Sequence, residues 1–379
     1  MSSRFNLIIL GTLFGITAFD TLLLAFAIPR LISEYGFSHS AAGLLGTILM
    51  AGVGVGAVVL GALSDVVGRR KVIFSSIIIF TLSTGLLSFT GSYSFFAVFL
   101  FSSGFGLGGG LTLSIAYLPE VIEESLDKYM CYFESFWGVG ALSIVTASYF
   151  LVQSPLAELF LIGALPIALL PLFYKLPDVR VEERKSVSGN VRNLIFSYGK
   201  ITIIIWSIWF CGVFTYYGVF LWLPSIMMSE MGYTIGNTIL IPIYGIQIVS
   251  PLVLSLIIKE NNTERLLAAY SFVAAISTLL FIYSKTLMFV GMLTTSFFSI
   301  GGWVLLILTT QKSYPQSIRG LGVGSAASVG RVGGIIAPYL TGYLMDVYGT
   351  FKIPFWIFVL LFLIMAMLAL SIRFLDGKN

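Results

Sequence analysis

The sequence predicts an all-α membrane protein in which twelve transmembrane helices form two pseudo-symmetric six-helix bundles. Three observations lead there. Of the 379 residues, 58% are hydrophobic and only 10% are charged, with a mean hydropathy of +0.99, whereas a soluble domain carries about 25% charged residues. No soluble fold of this size covers so much apolar surface with so few charges. The apolar residues also fall into twelve runs, each near the roughly 20 residues that a spanning helix needs. Finally, the longest polar interruption, from Lys175 to Lys200, divides those runs six and six.

The first run, 6–28, holds Asp20 in its interior and ends at Pro29-Arg30 without a small-residue cleavage pattern, so it is expected to stay as a spanning helix. The second, 41–63, carries Gly52, Gly54 and Gly56 and ends in the charged turn Gly61-Ala62-Leu63-Ser64-Asp65-Val66-Val67-Gly68-Arg69-Arg70. Lys71 follows, and so short a turn makes the third run, 72–90, a hairpin partner of the second. The fourth, 95–118, is studded with Gly104, Gly106, Gly108, Gly109 and Gly110 and stops at Pro119-Glu120; the fifth, 129–152, follows Asp127-Lys128; the sixth, 157–174, stops at Lys175. In the second half, 201–224 runs from Lys200 to Pro224 and 235–258 stops at Lys259. The ninth run is 265–283, and the tenth, 286–311, lies between Lys285 and Lys312. The eleventh, 319–345, has a small-residue stripe of Gly320, Gly324, Ser328, Gly330 and Gly334, and the twelfth, 351–373, reaches Arg373. Such stripes let helix backbones approach closely in lipid.

Charge placement sets an orientation. Of 21 Lys and Arg, Arg30, Lys285 and Lys352 fall on one side of this topology, Arg331 lies inside a helix, and the other 17 share the side of the second-to-third turn. The positive-inside rule makes that side cytoplasmic, with both termini inside. The expected organisation is an N-terminal bundle over 1–174, a cytoplasmic linker over 175–200 and a C-terminal bundle over 201–379. Cys131 and Cys211 fall inside apolar runs and read as buried thiols. One histidine, His39, excludes a multi-histidine metal centre and is expected in an exposed loop. The Gly-x-Gly patterns lack the strand–turn–helix context of a nucleotide loop.

The Gly-x-x-x-Asp-x-x-Gly-Arg-Arg turn resembles the loop between helices 2 and 3 of the major facilitator superfamily of secondary transporters. The segment Gly106–Glu120 looks like helix 4 of its branch holding sugar porters, aromatic-acid/proton symporters and synaptic-vesicle-protein-like transporters. Tyr314-Pro-Gln-Ser-Ile-Arg319-Gly-Leu-Gly resembles that branch's stretch before helix 11. Gly330-Arg331-Val-Gly-Gly-Ile-Ile-Ala-Pro338 and Phe19-Asp20 look like its organic-acid members. The chain departs from the pattern at several points: Val66 replaces the usual basic residue after Asp65, Asp127-Lys128 the branch's usual Arg-Gly, Lys312 stands where a Glu often precedes Tyr-Pro, the second-half turn Lys259–Arg265 has lost its glycines, and helix 5 lacks the Gly-Pro signature of drug/proton antiporters. The resemblance implies the major facilitator fold working by alternating access.

Ionisable groups inside a bilayer cost several kcal/mol, which makes each a functional candidate. Asp20 sits roughly 20 Å into the first helix and Arg331 about 18 Å into the eleventh; Glu134 lies nearer the cytoplasmic end of the fifth. A carboxyl whose surroundings alternate between wet and dry takes up and releases a proton, so Asp20 and Glu134 are the proton-coupling candidates. Arginine stays charged and needs an anion, which here is Asp20, Glu134 or a substrate carboxylate that its planar fork matches bidentately. With Arg331, the expected substrate-binding residues are Gln247, Tyr216, Tyr217, Trp222 and Trp303. The expected cytoplasmic gate comprises Gly61, Asp65, Gly68, Arg69, Arg70, Glu120 and Arg319. Glu120 is the expected ion-pair partner of Arg69 or Arg70, Asp65 is expected to meet the start of helix 11, and Lys128 or a turn arginine is a partner option for Glu134.

The expected function is secondary active transport of a small polar organic solute, with an organic carboxylate, aromatic ones included, imported with protons. Alternatives are a proton-coupled sugar transporter and, in another class, a non-transporting membrane sensor of the same fold. No enzyme motif is evident. The expected partners are a small-molecule substrate, protons and the lipid bilayer, with no cofactor, metal or nucleic acid, and the chain is expected to act as a monomer.

Overall fold

The computed structural model describes residues 3–122, 126–176, 194, 196–259 and 262–376. The twelve predicted runs become α1 (Ser3–Tyr35), α2 (His39–Val67), α3 (Arg69–Leu86), α4 (Tyr93–Val121), α5 (Leu126–Phe150), α6 (Leu156–Phe173), α7 (Gly199–Met231), α8 (Tyr233–Ile257), α9 (Thr263–Tyr283), α10 (Met288–Lys312), α11 (Gln316–Tyr348) and α12 (Lys352–Asp376). The linker expectation falls largely on 177–193, outside the described residues. Eleven of these helices are long and apolar enough to cross a membrane. The exception, α5, has 25 residues and carries Asp127, Lys128 and Glu134 among its first nine. α6 is broken: a seven-residue helix (Leu156–Ile162) gives way to a 3-10 stretch (Leu165–Leu169) and a final turn, where Pro166 and Pro171 remove backbone donors.

Small residues decide which helices meet. A Cβ placed on Gly56 would collide with the Phe105 carbonyl, and one on Gly104 with that of Leu49, so α2 and α4 touch backbone to backbone. Gly15 and Gly140 do the same for α1 and α5. The second half repeats the scheme, with Gly330, Gly333 and Gly334 of α11 seated on α7. Between the halves, α2 packs on α11, α5 on α8 and α1 on α7. The first two seams use equivalent helices of the two bundles, as a two-fold relationship requires. The α2–α3 turn has no spare residue. Gly68 ends one helix and starts the next at φ 96°, a conformation that favours glycine.

Candidate binding cavity

A cavity of about 740 Å³ lies between the bundles. Arg69, Glu120, Gln311, Gln316 and Arg319 stand around its mouth, at the end of the molecule that carries the α2–α3 turn. The opposite end is closed. There the Phe26 and Tyr244 rings meet at 5.5 Å, Thr47 Oγ1 donates to Ile335 O at 2.5 Å, and Trp222 Nε1 donates to Pro338 O at 3.1 Å. The cavity is thus open at one face of the two bundles and closed at the other.

Arg331 reaches the cavity because the glycines beside it press its stretch of α11 onto Trp209, Phe210, Val213 and Tyr217 of α7. Its Nη2 donates across the bundles to Thr112 Oγ1 of α4 at 2.9 Å. No carboxylate pairs with it among the described residues. Glu134 lines the same cavity from α5 and is fully buried. Neither of its oxygens has a hydrogen-bond partner among the described residues. The expected arginine partners are engaged elsewhere, Arg69 Nη2 donating to Glu120 Oε1 and Arg70 stacking on Tyr174 at 4.8 Å, and Lys128 is exposed at the start of α5.

Asp20 stands apart from this cavity, inside the N-terminal bundle. Its Oδ2 accepts from Thr84 Oγ1 of α3 at 2.9 Å and from Ser103 Oγ of α4 at 3.1 Å. Gly163 of α6 closes the nest, since a Cβ there would lie 3.0 Å from Oδ1. An Asp20–Arg331 pair is therefore not formed. Two residues far apart in sequence occupy similar depths in their helices, yet α1 turns its carboxyl inward to its own bundle.

The cavity wall is aromatic. Trp137 of α5, Trp209, Tyr216 and Tyr217 of α7 and Trp303 of α10 line it. Trp137 Nε1 donates to the Tyr216 hydroxyl, which donates to Gln247 Oε1 at 3.3 Å. Gln247 Nε2 donates in turn to Ser296 Oγ at 3.0 Å. Two sequence expectations are corrected here. Gln247 stands behind the wall with its amide spent on orienting Tyr216, and Trp222 belongs to the closed end, where its indole is held by α11. Three wall residues were missed: Thr112, Trp137 and Trp209. Trp137 had a signal, because it follows Glu134 by three positions and such residues share a helix face.

At the open face, Arg319 Nε donates to Tyr314 O at 3.4 Å, and Asp65 is exposed at the end of α2. Gly61 and Gly68 lie on the same segment. Two of the departures noted in the sequence meet across the bundles, with Lys312 Nζ 3.1 Å from Asp127 Oδ2. At the closed face His39 is not in a loop: it is the first residue of α2 and its Nδ1 lies 2.8 Å from Asp346 Oδ1.

A family model described as the Major Facilitator Superfamily matches residues 9–338. The chain is 32% identical to a putative niacin/nicotinamide transporter of Bacillus subtilis, over 98% of this chain and 94% of the relative. It is 26% identical to a benzoate transport protein of Acinetobacter baylyi, over 90% and 84% respectively. Among solved structures, a D-xylose–proton symporter superposes with a TM-score of 0.76 at 17% identity, covering 97% of both chains.

Proposed function

We propose that this chain, which belongs to the Major Facilitator Superfamily and is a multi-pass membrane transporter, carries small aromatic carboxylates such as niacin or benzoate together with protons. The observation that supports this reading is Arg331, a guanidinium held in an aromatic-walled cavity with a hydroxyl, not a carboxylate, as its hydrogen-bond partner. A half-buried cation at membrane depth without an anion is costly. A substrate carboxylate relieves that cost, while Trp137, Tyr216, Tyr217 and Trp303 offer ring faces and edges to an aromatic body. The names of the relatives, a putative niacin/nicotinamide transporter and a benzoate transport protein, include aromatic carboxylates of this kind. The likeness to a sugar symporter is one of fold.

In this reading the α2–α3 face is cytoplasmic, the protein sits in the cell membrane with both termini inside, and the cavity is inward-open. Arg331 holds the carboxylate, Thr112 holds Arg331, and Asp20 and Glu134 are the acids available to a coupling proton. Proteoliposome uptake decides the matter. Labelled niacin and benzoate should accumulate under a proton gradient and labelled xylose should not. Accumulation of the sugar without the acids would overturn the reading.

A further inference from the structure

Two ionisable side chains lie deep in the central cavity, inward of Arg69, Glu120 and Arg319 at its mouth, and they come from equivalent helices of the two bundles: Glu134 from α5 and Arg331 from α11. Each lacks a charged partner in this inward-open form among the described residues. The other charged groups around them are accounted for. On α5, Asp127 is paired with Lys312 and Lys128 lies at the helix start. At the mouth, Arg69 is paired with Glu120, and Arg319 bonds a backbone carbonyl. From α1, Asp20 is enclosed by Thr84 and Ser103. Cys131, Tyr216, Tyr217 and Tyr244, the remaining titratable side chains nearby, are buried or half-buried.

The charge states of this cavity can be enumerated. Counting the two groups deep in the cavity and leaving Arg319 with the mouth, the empty cavity is neutral with Glu134 ionised. With a monocarboxylate on Arg331, it is neutral when Glu134 holds a proton. A carboxylate without the proton leaves one net negative charge, and the proton without a carboxylate leaves one net positive charge. Closing a low-dielectric cavity around a net charge is strongly disfavoured. The two neutral states therefore close and cross, while the two half-loaded states stall.

Resting on the carboxylate reading of Arg331, we infer that Glu134 and Arg331 form a charge-balancing pair that couples one proton to each monocarboxylate and makes the transport electroneutral. Glu134 takes the substrate's place opposite Arg331 when the empty carrier resets. Its own proton travels when the substrate does.

Reconstituted protein and labelled niacin test this. In the wild type, a pH gradient with the lumen alkaline should drive accumulation, and an inside-negative potassium–valinomycin potential at equal pH should drive none and oppose none. Apparent niacin affinity should fall by about tenfold per pH unit on the alkaline limb, the limit for one linked proton. Glu134→Gln should bind niacin with a flat pH profile and lose uphill accumulation, while Glu134→Asp should restore both dependences and Asp20→Asn should keep the sloped profile. Uptake that responds to potential alone overturns the proposal, as does a wild-type pH profile in Glu134→Gln or a flat one confined to Asp20→Asn. Absence of any niacin or benzoate binding by the wild type would instead remove the carboxylate reading, and this proposal with it.

Discussion

Asp346, near the end of α11, caps the first turn of α2 across the interface between the bundles. Its Oδ1 accepts from His39 N at 3.1 Å and lies 2.8 Å from His39 Nδ1. Its Oδ2 accepts from Ser40 N at 2.7 Å and also takes the Ser40 hydroxyl. The first N–H groups of a helix have no partner within it, and here a carboxylate from the other bundle supplies one at the positive helix end. Ser38 completes the cap locally by accepting from Ala41 N at 3.1 Å.

This contact can exist only while the face opposite the cavity mouth is closed. Asp346→Ala removes a cap of about 1 kcal/mol, which corresponds to roughly a fivefold shift toward forms open on that face. A cysteine replacing Leu221, whose side chain packs at this closed end against Gly46, reports it. Its labelling by a membrane-impermeant maleimide added to the Asp346 side should rise several-fold in the Asp346→Ala background. Unchanged labelling would mean that the cap does not limit opening.

Arg331→Lys should weaken niacin binding more than tenfold, or about 1.4 kcal/mol, because an ammonium does not reproduce the bidentate fork. Thr112→Val, which removes the hydroxyl that orients Nη2, should cost less, on the order of threefold. Isothermal titration in detergent measures both. Equal affinity in wild type and Arg331→Lys would assign Arg331 to structure alone.

Gly56→Leu should destabilise the N-terminal bundle. The new Cβ would meet the Phe105 carbonyl, which is helix backbone and cannot rotate away. Overpacking of this kind costs about 1–3 kcal/mol or more. A lower melting temperature in detergent is expected. Gly54→Leu is the control, since its Cβ would find Ile335 Cδ1 at an ordinary 3.8 Å.

The orientation rests on charge placement and has its own test. A single cysteine replacing Ser188, in the linker outside the described residues, should react with a permeant maleimide and resist an impermeant one added to intact cells. Labelling from outside would invert the topology.

Hydropathy alone carried the sequence to twelve apolar runs that become twelve helices, eleven of them long and apolar enough to cross a membrane, while the sidedness read from charge placement is the expectation that the Ser188 labelling tests. These are properties of each segment against its solvent, since a bilayer forces every spanning stretch to satisfy its own backbone hydrogen bonds. Glycine spacing announced close helix contacts, and the Gly68 turn followed from its position between two apolar runs. The pairing of Arg69 with Glu120 was also readable, because both lie at helix ends on one face. What the sequence could not decide was the direction in which each buried polar side chain points. Asp20 and Glu134 look alike as acids within apolar runs, yet one is enclosed by Thr84 and Ser103 and the other fronts the cavity with Arg331. Gln247 and Trp222 read as cavity residues, and His39 as a loop residue, until packing set the first behind Tyr216, the second at the closed end, and the third against Asp346. A helix side chain's neighbours depend on the rotation of that helix against its partners, which is fixed by contacts hundreds of residues apart. Solvent preference writes the spans into the chain; only the packed bundles decide which buried groups meet.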